Sequence, residues 1–306
     1  MIIIKDIVIL LVSIIVIGKG AVWLVDAAAR VAKHFGISEL VIGLTVVAFG
    51  TSAPEFGVTI LAAIRGMGDI SVGNIVGSNI FNLGFILGGT AIIHSLKTSR
   101  TIVFRDGMFL LFGGILLSVF LWDLTLSKIE GIILFTLLVL YLLYLYFKKE
   151  TIETEEPTHA MYRWDPILLF VGIGLVIVGS HFLVESAVSI ARFMGVSDWV
   201  IGATIIAAGT SAPEFATSLT AAMKSRYGMS VGNLIGSDIF NLFGVLGVAG
   251  MMRNLSVGHD AHINLIILSF MIAVVLIFMR TGWVVSRKEG IILVMIGLLR
   301  WIYSFS

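Results

Sequence analysis

The chain has 306 residues, of which 58% are hydrophobic and 13% charged, and its formal net charge is +1. A soluble domain is nearer half apolar and a quarter charged, so this composition indicates a membrane bundle, and the small net charge argues against a nucleic-acid-binding protein. The absence of cysteine from the sequence excludes disulfides and thiolate metal sites.

Ten segments are long and apolar enough to cross a bilayer, since a spanning helix needs about 20 mainly apolar residues. We predict spans, in chain order, near 6–29, 38–63, 70–93, 104–122, 128–147, 166–190, 197–222, 229–252, 261–280 and 287–305. The first segment lacks a small-residue cleavage site, so it is interpreted as a retained helix and not as a signal peptide. The sequence therefore predicts an all-α integral membrane protein with ten transmembrane helices.

One strongly polar stretch, 148–165, separates two groups of five predicted spans and is interpreted as a solvated linker. The first five-helix half is then 1–147 and the second is 166–306. Thirteen of the 20 lysine and arginine residues lie on the side of this linker, six lie on the opposite side, and Lys19 lies within the first span. Because cytoplasmic loops carry an excess of positive charge, we predict a cytoplasmic linker, external N- and C-termini, and a multi-pass protein of the cell membrane.

An internal repeat relates the two halves. Residues 36–88 align without gaps on 195–247, with an offset of 159 and 28 identities in 53 positions. The sequence Gly-Thr-Ser-Ala-Pro-Glu-Phe begins at Gly50 and again at Gly209. Each half has an odd number of predicted spans, so the second copy crosses the membrane in the opposite direction. Inverted-topology repeats of this kind place the binding site of transporters near the bilayer midplane, between the copies.

Two acidic residues, Glu55 and Glu214, lie at equivalent positions in the middle of apolar spans. A charged side chain there costs roughly 2.5–3.5 kcal/mol on insertion scales, so it needs a partner. No lysine or arginine occupies an equivalent central position in the repeats, so a cation from solution is the simplest partner. The alternative is a pair of protonated glutamates that hold the bundle together by hydrogen bonds; their recurrence at symmetric positions favours the cation site.

A proline precedes each of these glutamates, at Pro54 and Pro213. Proline has no amide hydrogen and clashes with the carbonyl four residues back, so carbonyls near Gly50 and Gly209 should lose their helical partners. A free carbonyl that faces a cavity is a ligand for hard cations. The other interpretation is an ordinary proline kink, which is less usual with Thr, Ser and Glu beside it in both copies.

Further oxygen-bearing side chains share helix faces with the glutamates or recur on the next helix of each repeat. They are Thr51, Ser52, Asn74, Ser78 and Asn82 in the first copy, and Thr210, Ser211, Asn233, Ser237 and Asn241 in the second. Carboxylates, hydroxyls and amides suit Na⁺ and Ca²⁺, and the repeats contain no histidine, which argues against zinc or copper. Asp238, whose counterpart is Asn79, breaks the symmetry: it could border the site, line a water path or accept hydrogen bonds between helices.

Both repeats also contain a GxxxG pair, Gly73 with Gly77 and Gly232 with Gly236. Small residues at this spacing let helix backbones approach closely, so we predict tight helix packing at both pairs. Such packing would also bring the neighbouring polar faces within coordination distance of one ion.

The paired GTSAPE and GSxxxN segments resemble the alpha repeats of the cation/calcium antiporter superfamily, especially those of sodium/calcium exchangers. The resemblance implies that Glu55 and Glu214 are central ligands shared by Ca²⁺ and Na⁺, and that the first and sixth helices slide across the core while about three Na⁺ exchange for one Ca²⁺. The other ligands that it implies are the carbonyls of Thr51 and Thr210 for calcium, the amides of Asn82 and Asn241, and, for sodium, Ser52, Ser78, Ser211, Ser237 and the carbonyls of Ala48 and Ala207.

These features predict a secondary antiporter, not an enzyme, that exchanges Na⁺ for Ca²⁺ by alternating access. Many members of the family have aspartate at the position of Asn241, so the resemblance argues against co-transport of K⁺. No phosphate-binding loop with lysine is present, which argues against an ATP-driven pump. We expect membrane lipid, Na⁺ and Ca²⁺ as partners, with no organic cofactor and no obligate protein partner.

Three alternatives to this function remain. A proton/calcium exchanger could use the same glutamates. A cation channel belongs to another class; it needs rings of ligands around an axis, and the inverted repeat favours a transporter. A non-transporting membrane scaffold would bind no calcium.

Overall fold

The structure is a computed structural model that describes residues 2–148, 160–196, 205 and 207–303. Before the linker, the described residues form the α-helices α1 (Ile2–Phe35), α2 (Glu39–Ile42), α3 (Ala48–Thr51), α4 (Ala53–Ile64), α5 (Gly68–Phe81), α6 (Gly88–Ile93), α7 (Met108–Phe120) and α8 (Lys128–Phe147). Several of these are joined by π-helical segments, Gly43–Val47, Asn82–Leu87 and Ile102–Gly107, and a 3-10 turn, Leu121–Asp123, follows α7.

After the linker, the described residues form a similar series. It comprises α9 (Asp165–Phe193), α10 (Ala207–Thr210), α11 (Ala212–Met223), α12 (Tyr227–Ile239), α13 (Leu246–Met252), α14 (Asp260–Arg280) and α15 (Arg287–Tyr303), with a π-helical segment, Phe240–Val245, between α12 and α13. Four two-residue strands, β1 (Leu96–Lys97), β2 (Thr125–Leu126), β3 (Leu255–Ser256) and β4 (Val284–Val285), lie in connections between helices.

The prediction of a multi-pass helical membrane protein is confirmed. Within the described part of the chain, seven continuous helices are long and apolar enough to span a membrane, and the bent pair Glu39–Thr51 and Ala53–Ile64 makes eight. Of the two other predicted spans, 197–222 includes residues outside the described part, and 287–305 corresponds to α15, a helix of 17 residues. The number of ten spans and the division into two halves around 148–165 stay predictions.

Equivalent elements recur at the repeat offset well beyond the aligned sequences. The bounds of α4 and α11 differ by 159 residues at both ends, as do those of β1 and β3 and of β2 and β4. The strands pair crosswise and antiparallel, β1 with β4 and β2 with β3. The same local conformations are therefore adopted by two parts of the chain whose sequences outside the repeats differ.

Helix starts show the same correspondence. The Ser127 backbone N–H donates to Glu130 Oε2 at 2.7 Å while the Ser127 hydroxyl caps the Glu130 amide at the start of α8. Ser286 and Glu289 make equivalent contacts at the start of α15, where the Ser286 N–H donates to the Glu289 carboxylate at 2.7 Å. These capping boxes satisfy amides that have no partner within the helix, and so fix where two peripheral spans begin.

Close helix packing occurs at one GxxxG pair. A Cβ atom added at Gly232 would lie 2.8 Å from the Leu40 carbonyl oxygen, and one added at Gly236 would lie 2.6 Å from Leu44 Cα. The backbones of α12 and of the first repeat's initial helix therefore touch, as predicted from the small residues. At Gly73 and Gly77 no described atom lies within 4 Å of an added Cβ, but the segment equivalent to Leu40–Leu44, 199–203, lies outside the described residues, so close packing at this pair stays a prediction.

The long helices α1 and α9 pack along one another beside the repeat helices. A Cβ added at Gly172 would lie 2.7 Å from the Leu24 amide nitrogen, which shows that glycine allows the two backbones to cross closely. Arg30 Nη2 and Asp165 Oδ1 are 2.7 Å apart, so an ion pair also joins these helices at the end that faces the linker.

Candidate cation-binding site

Each glutamate of the repeats follows a break in a helix. In the first copy, α3 ends at Thr51 and α4 begins at Ala53, and the two parts of the span are bent by 51°. In the second copy, α10 ends at Thr210 and α11 begins at Ala212. The prolines lie in the first turns of α4 and α11, where their missing amide hydrogen deprives the carbonyl four residues earlier of a helical donor.

Glu55 and Glu214 are both fully buried, and the two copies make reciprocal contacts with them. Ser211 donates its hydroxyl hydrogen to Glu55 Oε1 at 3.1 Å, and Ser52 donates to Glu214 Oε1, also at 3.1 Å. Each helix break thus supplies a hydroxyl to the carboxylate of the other copy. The fold therefore brings the two glutamates to one site, as the repeat symmetry required.

Neither glutamate has a basic partner in the part of the chain that the structure describes. The ion pairs found there involve other acidic residues, namely Asp26, Glu39, Asp106, Asp165 and Glu185. Lys19, which the sequence places within the first span, is exposed. A buried charge without a counter-charge is strongly unfavourable, so two ionised carboxylates at this site would need cations as their counter-charge.

A hydroxyl network extends from the first helix break to α12. The Thr51 hydroxyl lies 3.2 Å from Asn233 Oδ1, 3.3 Å from the Ala48 carbonyl oxygen and 3.4 Å from Ser237 Oγ, and its single hydrogen is available to these acceptors. Ser237 in turn donates to Glu214 Oε1 at 3.5 Å. These contacts place four predicted ligand residues, Ala48, Thr51, Ser237 and Glu214, in one connected cluster.

The remaining predicted ligands are less uniformly connected. Ser78 is buried on α5, Thr210 is half-buried at the end of α10, and Ala207 begins α10. The Ala48 carbonyl oxygen accepts the backbone N–H of Ser52 at 3.0 Å and lies 3.3 Å from the Thr51 hydroxyl, so a cation would share this oxygen with at least one donor.

A second pair of polar contacts lies one turn beyond each glutamate and was not predicted from the sequence. Asn74 donates to the Thr59 hydroxyl at 3.0 Å, and Asn233 donates to the equivalent Ser218 hydroxyl at 2.9 Å. Both asparagines also reach the backbone carbonyl of their own copy's glutamate, at 3.4 and 3.5 Å. The signal available in the sequence was a hydroxyl four residues after each glutamate, on the same helix face.

Asp238 lies beside the central residues and contacts the other copy. Its carboxylate Oδ1 accepts a hydrogen bond from Asn82 Nδ2 at 2.9 Å, and its backbone carbonyl accepts one from Asn79 Nδ2 at 3.1 Å. Of the three roles left open by the sequence, the structure thus provides direct contacts for hydrogen bonding between helices. Asn241 Nδ2 donates to Asn79 Oδ1 at 3.1 Å, which completes this group of four amide and carboxylate side chains.

Five buried oxygen atoms in this region have no hydrogen-bond partner among the described residues. They are Glu55 Oε2, Glu214 Oε2, Asp238 Oδ2, Asn82 Oδ1 and Asn241 Oδ1. All five can act as acceptors when the acids are ionised, and buried polar atoms are normally paired, so these oxygens are available to a bound cation or to water. No group of three or more acidic or histidine side chains suited to one metal ion is present among the described residues. A cation here therefore depends on hydroxyl, amide and backbone oxygens as well as on the carboxylates.

A comparison with protein families supports the interpretation of the repeats. The family model described as sodium/calcium exchanger protein matches residues 5–147 and 164–301. Among curated proteins, the chain is 32% identical to sodium/calcium exchanger MaX1 of Methanosarcina acetivorans, over 94% of this chain and 95% of that protein. It is 34% identical to the putative antiporter CaxA of Alkalimonas amylolytica, over 93% and 94% of the two chains.

Solved structures give the same result at the level of the fold. The chain superimposes on the sodium-calcium exchanger NCX_Mj, in a structure obtained with zero Na⁺ and Ca²⁺, with a TM-score of 0.87 and 32% sequence identity. The superposition covers 99% of this chain and all of the other. The similarity thus extends over the whole chain and is not restricted to the repeats.

Proposed function

Since the chain belongs to the sodium/calcium exchanger family, we propose that it is a secondary antiporter that exchanges Na⁺ for Ca²⁺ across the membrane by alternating access. The sodium/calcium exchanger MaX1 matches almost the full length of the chain, as does the structure of the sodium-calcium exchanger NCX_Mj. A transporter of this kind needs a buried site that accepts either cation and that two states expose in turn.

The observation that carries this proposal is the reciprocal arrangement of Glu55 and Glu214. Two buried carboxylates, one from each copy, share one site, lack any lysine or arginine partner among the described residues, and each have one oxygen without a protein contact. Two negative charges balance one Ca²⁺, and several Na⁺ can share the same charge with the aid of neutral oxygens. An empty site would leave two bare carboxylates in a dry bundle, which opposes the conformational switch and so enforces exchange.

The proposed ligands follow from this arrangement. Glu55 and Glu214 bind both ions, while Ser52 and Ser211, which already contact the carboxylates, can turn their hydroxyl oxygens toward Na⁺. The further proposed ligands are the carbonyls of Ala48, Thr51, Thr210 and Ala207, the hydroxyls of Ser78 and Ser237, and the amide oxygens of Asn82 and Asn241, with Asp238 beside them. No organic cofactor and no protein partner takes part in this cycle.

We also propose that transport does not require K⁺. The support is Asn241, an uncharged residue at a position where many members of the family have aspartate. Uptake driven by a Na⁺ gradient should therefore be the same in K⁺-containing and K⁺-free media, and dependence on K⁺ would contradict the proposal.

The orientation that we propose places the linker 148–165 in the cytoplasm and both termini outside the cell membrane, with the halves 1–147 and 166–306 inverted relative to one another. The support is the excess of lysine and arginine on the linker side. An epitope tag at the C-terminus of the chain should then be accessible to antibody on intact cells, and a tag within the linker should not.

Purified protein in sodium-loaded proteoliposomes tests the function. Glu55→Gln and Glu214→Gln each remove one of the two charges but retain the side-chain volume, so we expect each to abolish sodium-driven ⁴⁵Ca²⁺ uptake. Asp260→Asn, the same change at an exposed position, is the matched control and should leave uptake unchanged. Uptake at the wild-type rate in either glutamine variant would rule out these carboxylates as ligands.

The driving ion is tested by imposing gradients of Na⁺, K⁺ and H⁺ separately on the same proteoliposomes. We expect Ca²⁺ uptake only with the Na⁺ gradient. Uptake driven by H⁺ alone would identify a proton/calcium exchanger with the same site, and a Ca²⁺ current without any counter-gradient would identify a channel.

A further inference from the structure

We infer that Asn79 and Asp238 are positioning residues, which orient the amides of Asn82 and Asn241 so that their carbonyl oxygens face the cations. The inference rests on the proposed function, because it concerns the ions of that site. Asn79 and Asp238 occupy equivalent positions, 159 residues apart, and each contacts the amide of the opposite copy.

The orientation of Asn241 follows from a chain of donors and acceptors. A backbone carbonyl can only accept, so the contact with the Asp238 carbonyl at 3.1 Å must be made by Asn79 Nδ2. Asn79 Oδ1 is then left as an acceptor and receives Asn241 Nδ2 at 3.1 Å. With its nitrogen engaged, Asn241 has only Oδ1 available, and this atom is buried with no hydrogen-bond partner in the part of the chain that the structure describes.

The orientation of Asn82 is determined in the same way by the opposite copy. Asp238 Oδ1 accepts a hydrogen bond from Asn82 Nδ2 at 2.9 Å, so Asn82 Oδ1 is the amide atom left without a partner among the described residues. Both residues are fully buried. If this amide were reversed, its NH₂ group would face the cation and its oxygen would face the carboxylate, and both contacts would be repulsive.

The two contacts differ in their acceptors, because a carboxyl oxygen of Asp238 holds Asn82 whereas the amide oxygen of Asn79 holds Asn241. Asp238 acts on the ions through Asn82, and replacing its acceptor oxygen should matter more than replacing its charge.

Equilibrium binding of ⁴⁵Ca²⁺ to the purified protein in detergent tests this inference. Leaving the buried amide hydrogen of Asn82 without an acceptor costs enough to weaken binding roughly 10- to 100-fold, so we expect Asp238→Ala to lower calcium affinity by that factor. Asp238→Asn retains an acceptor oxygen and should restore affinity to within about threefold of the wild type, a rescue that a charge-only role would not give.

A double-mutant cycle separates positioning from direct ligation. In an Asn82→Ala background, Asp238→Ala should have no further effect on calcium affinity, because Asp238 acts through Asn82. The inference would be overturned if the losses of calcium affinity in Asp238→Ala and Asn82→Ala were additive. It would also be overturned if Asp238→Asn bound calcium as weakly as Asp238→Ala. If Asp238→Ala does not fold, as judged by size-exclusion chromatography, the cycle of Asn79→Ala with Asn241→Ala tests the same claim in the other copy. Failure of the wild-type protein to bind calcium would instead contradict the proposed function.

A separate observation concerns four charged residues outside the site. We propose that two equivalent ion pairs, Asp26 with Lys224 and Glu185 with Arg65, form in turn on the two faces of the membrane as α1 and α9 slide. Position 185 is equivalent to position 26, and position 224 to position 65, at the offset of 159. The sign of the charge is the same at each equivalent pair of positions, although the residue types differ.

Only one of these ion pairs is formed in the structure. Lys224 Nζ lies 2.6 Å from Asp26 Oδ1, and α1 packs along α11 near this contact. Glu185 is exposed over 68% of its side chain and contacts His181 at 3.9 Å, and Arg65 makes no ion pair among the described residues. The helix packing agrees with this difference. The helices α1 and α11 pack along one another, whereas the equivalent pair, α9 and α4, does not. The face that carries Lys224 is therefore the closed one.

The exchange of pairs follows from the symmetry. If the helix pair α1 and α9 moves so that the contact between α1 and α11 opens, the equivalent contact between α9 and α4 can close and bring Glu185 to Arg65. Partly exposed ion pairs contribute little net stability, so each pair biases one state without preventing the switch. That balance suits a transporter in which both states must be reached.

Cysteine cross-linking tests the proposal directly, because the chain contains no cysteine of its own. Asp26→Cys with Lys224→Cys and Arg65→Cys with Glu185→Cys should each form a disulfide in membranes under mild oxidation, trapping opposite states. Each cross-link should abolish exchange, and reduction should restore it. A control pair, Arg65→Cys with Lys224→Cys, joins residues on opposite faces and should not cross-link.

The two possible failures can be told apart. If Arg65→Cys with Glu185→Cys never cross-links while the reduced variant still transports, the alternating pairs are refuted and the proposed function stands. If neither the variants nor the wild type transport Ca²⁺ against Na⁺, the proposed function fails independently of the cross-links.

Discussion

The chemistry of this protein is concentrated in a few polar side chains within an apolar bundle. Glu55 and Glu214 are fully buried, and the hydroxyls of Ser211 and Ser52 are the groups that hold one oxygen of each. A serine hydroxyl can donate to a carboxylate when no ion is present and present its lone pairs to an ion when one is bound. The same four residues can therefore stabilise an empty site and a loaded one.

The serines should affect sodium more than calcium, because the smaller charge of Na⁺ makes it depend more on neutral ligands. Ser52→Ala and Ser211→Ala each remove a hydroxyl that contacts a carboxylate, which should raise the half-saturating Na⁺ concentration by roughly tenfold. Ser118→Ala is the matched control, since the Ser118 hydroxyl donates only to the Gly114 carbonyl of its own helix. Na⁺-dependent ⁴⁵Ca²⁺ uptake measures the effect, and an unchanged Na⁺ dependence in both variants would show that these hydroxyls are not sodium ligands.

At the scale of secondary structure, interrupted helices and close glycine contacts position the site. The breaks at Ser52 and Ser211 direct both serines toward the opposite copy, and the π-helical segment that follows α5 begins at Asn82. Irregular helix geometry within a membrane span is tolerated where it lines a polar cavity. The close approach at Gly236 then sets the distance between α12 and the first repeat.

That close approach should not tolerate a side chain. In Gly236→Ala the new Cβ would lie 2.6 Å from the backbone of Leu44, so the helices must separate, at a cost of about 1–3 kcal/mol. Gly174→Ala is the control: it lies in an exposed part of α9 with no described atom within 4 Å of an added Cβ, and should be neutral or stabilising. Thermal unfolding in detergent measures the difference, and equal stability of both variants would contradict the packing argument.

At the scale of the whole molecule, two equivalent contacts between helices differ. The contact between α1 and α11 is formed, whereas the equivalent contact between α9 and α4 is not. Since the sequences are related but the two contacts are unequal, the structure fits the proposal that the repeat makes two states available and that this is one of them. In that proposal, exchange between the two states carries the bound ions from one side of the membrane to the other.

The stoichiometry implied by the family, three Na⁺ for one Ca²⁺, moves one net charge in each cycle. One charge crossing 100 mV is worth about 2.3 kcal/mol, which corresponds to a change of about 50-fold in the Ca²⁺ gradient at equilibrium. The Ca²⁺ gradient at equilibrium can be measured in proteoliposomes that have a fixed Na⁺ gradient and a membrane potential set by K⁺ and valinomycin. Liposomes without protein are the control. A gradient that does not change with voltage would indicate an electroneutral exchange of two Na⁺ for one Ca²⁺.

Much of this architecture could be predicted from the sequence, because the relevant signals are local. Apolar length predicted the membrane spans, and the order of Pro54 and Glu55 predicted both the helix break and the buried carboxylate that follows it. The energetic penalty of a charge in lipid and the missing amide of proline act wherever these residues occur. The recurrence at Glu214 indicated that the two carboxylates share a site, as the contacts with Ser52 and Ser211 now show.

Contacts between distant residues were decided only by the tertiary structure. The sequence left three roles open for Asp238, gave no indication that Asn79 and Asn82 would both reach it, and did not pair Asp26 with Lys224. Such contacts depend on the angle and depth at which helices pack, and several arrangements of the same helices would bury the same apolar surface. The repeated sequence thus determined which groups are available to bind ions, and packing determined which atoms of those groups remain free to do so.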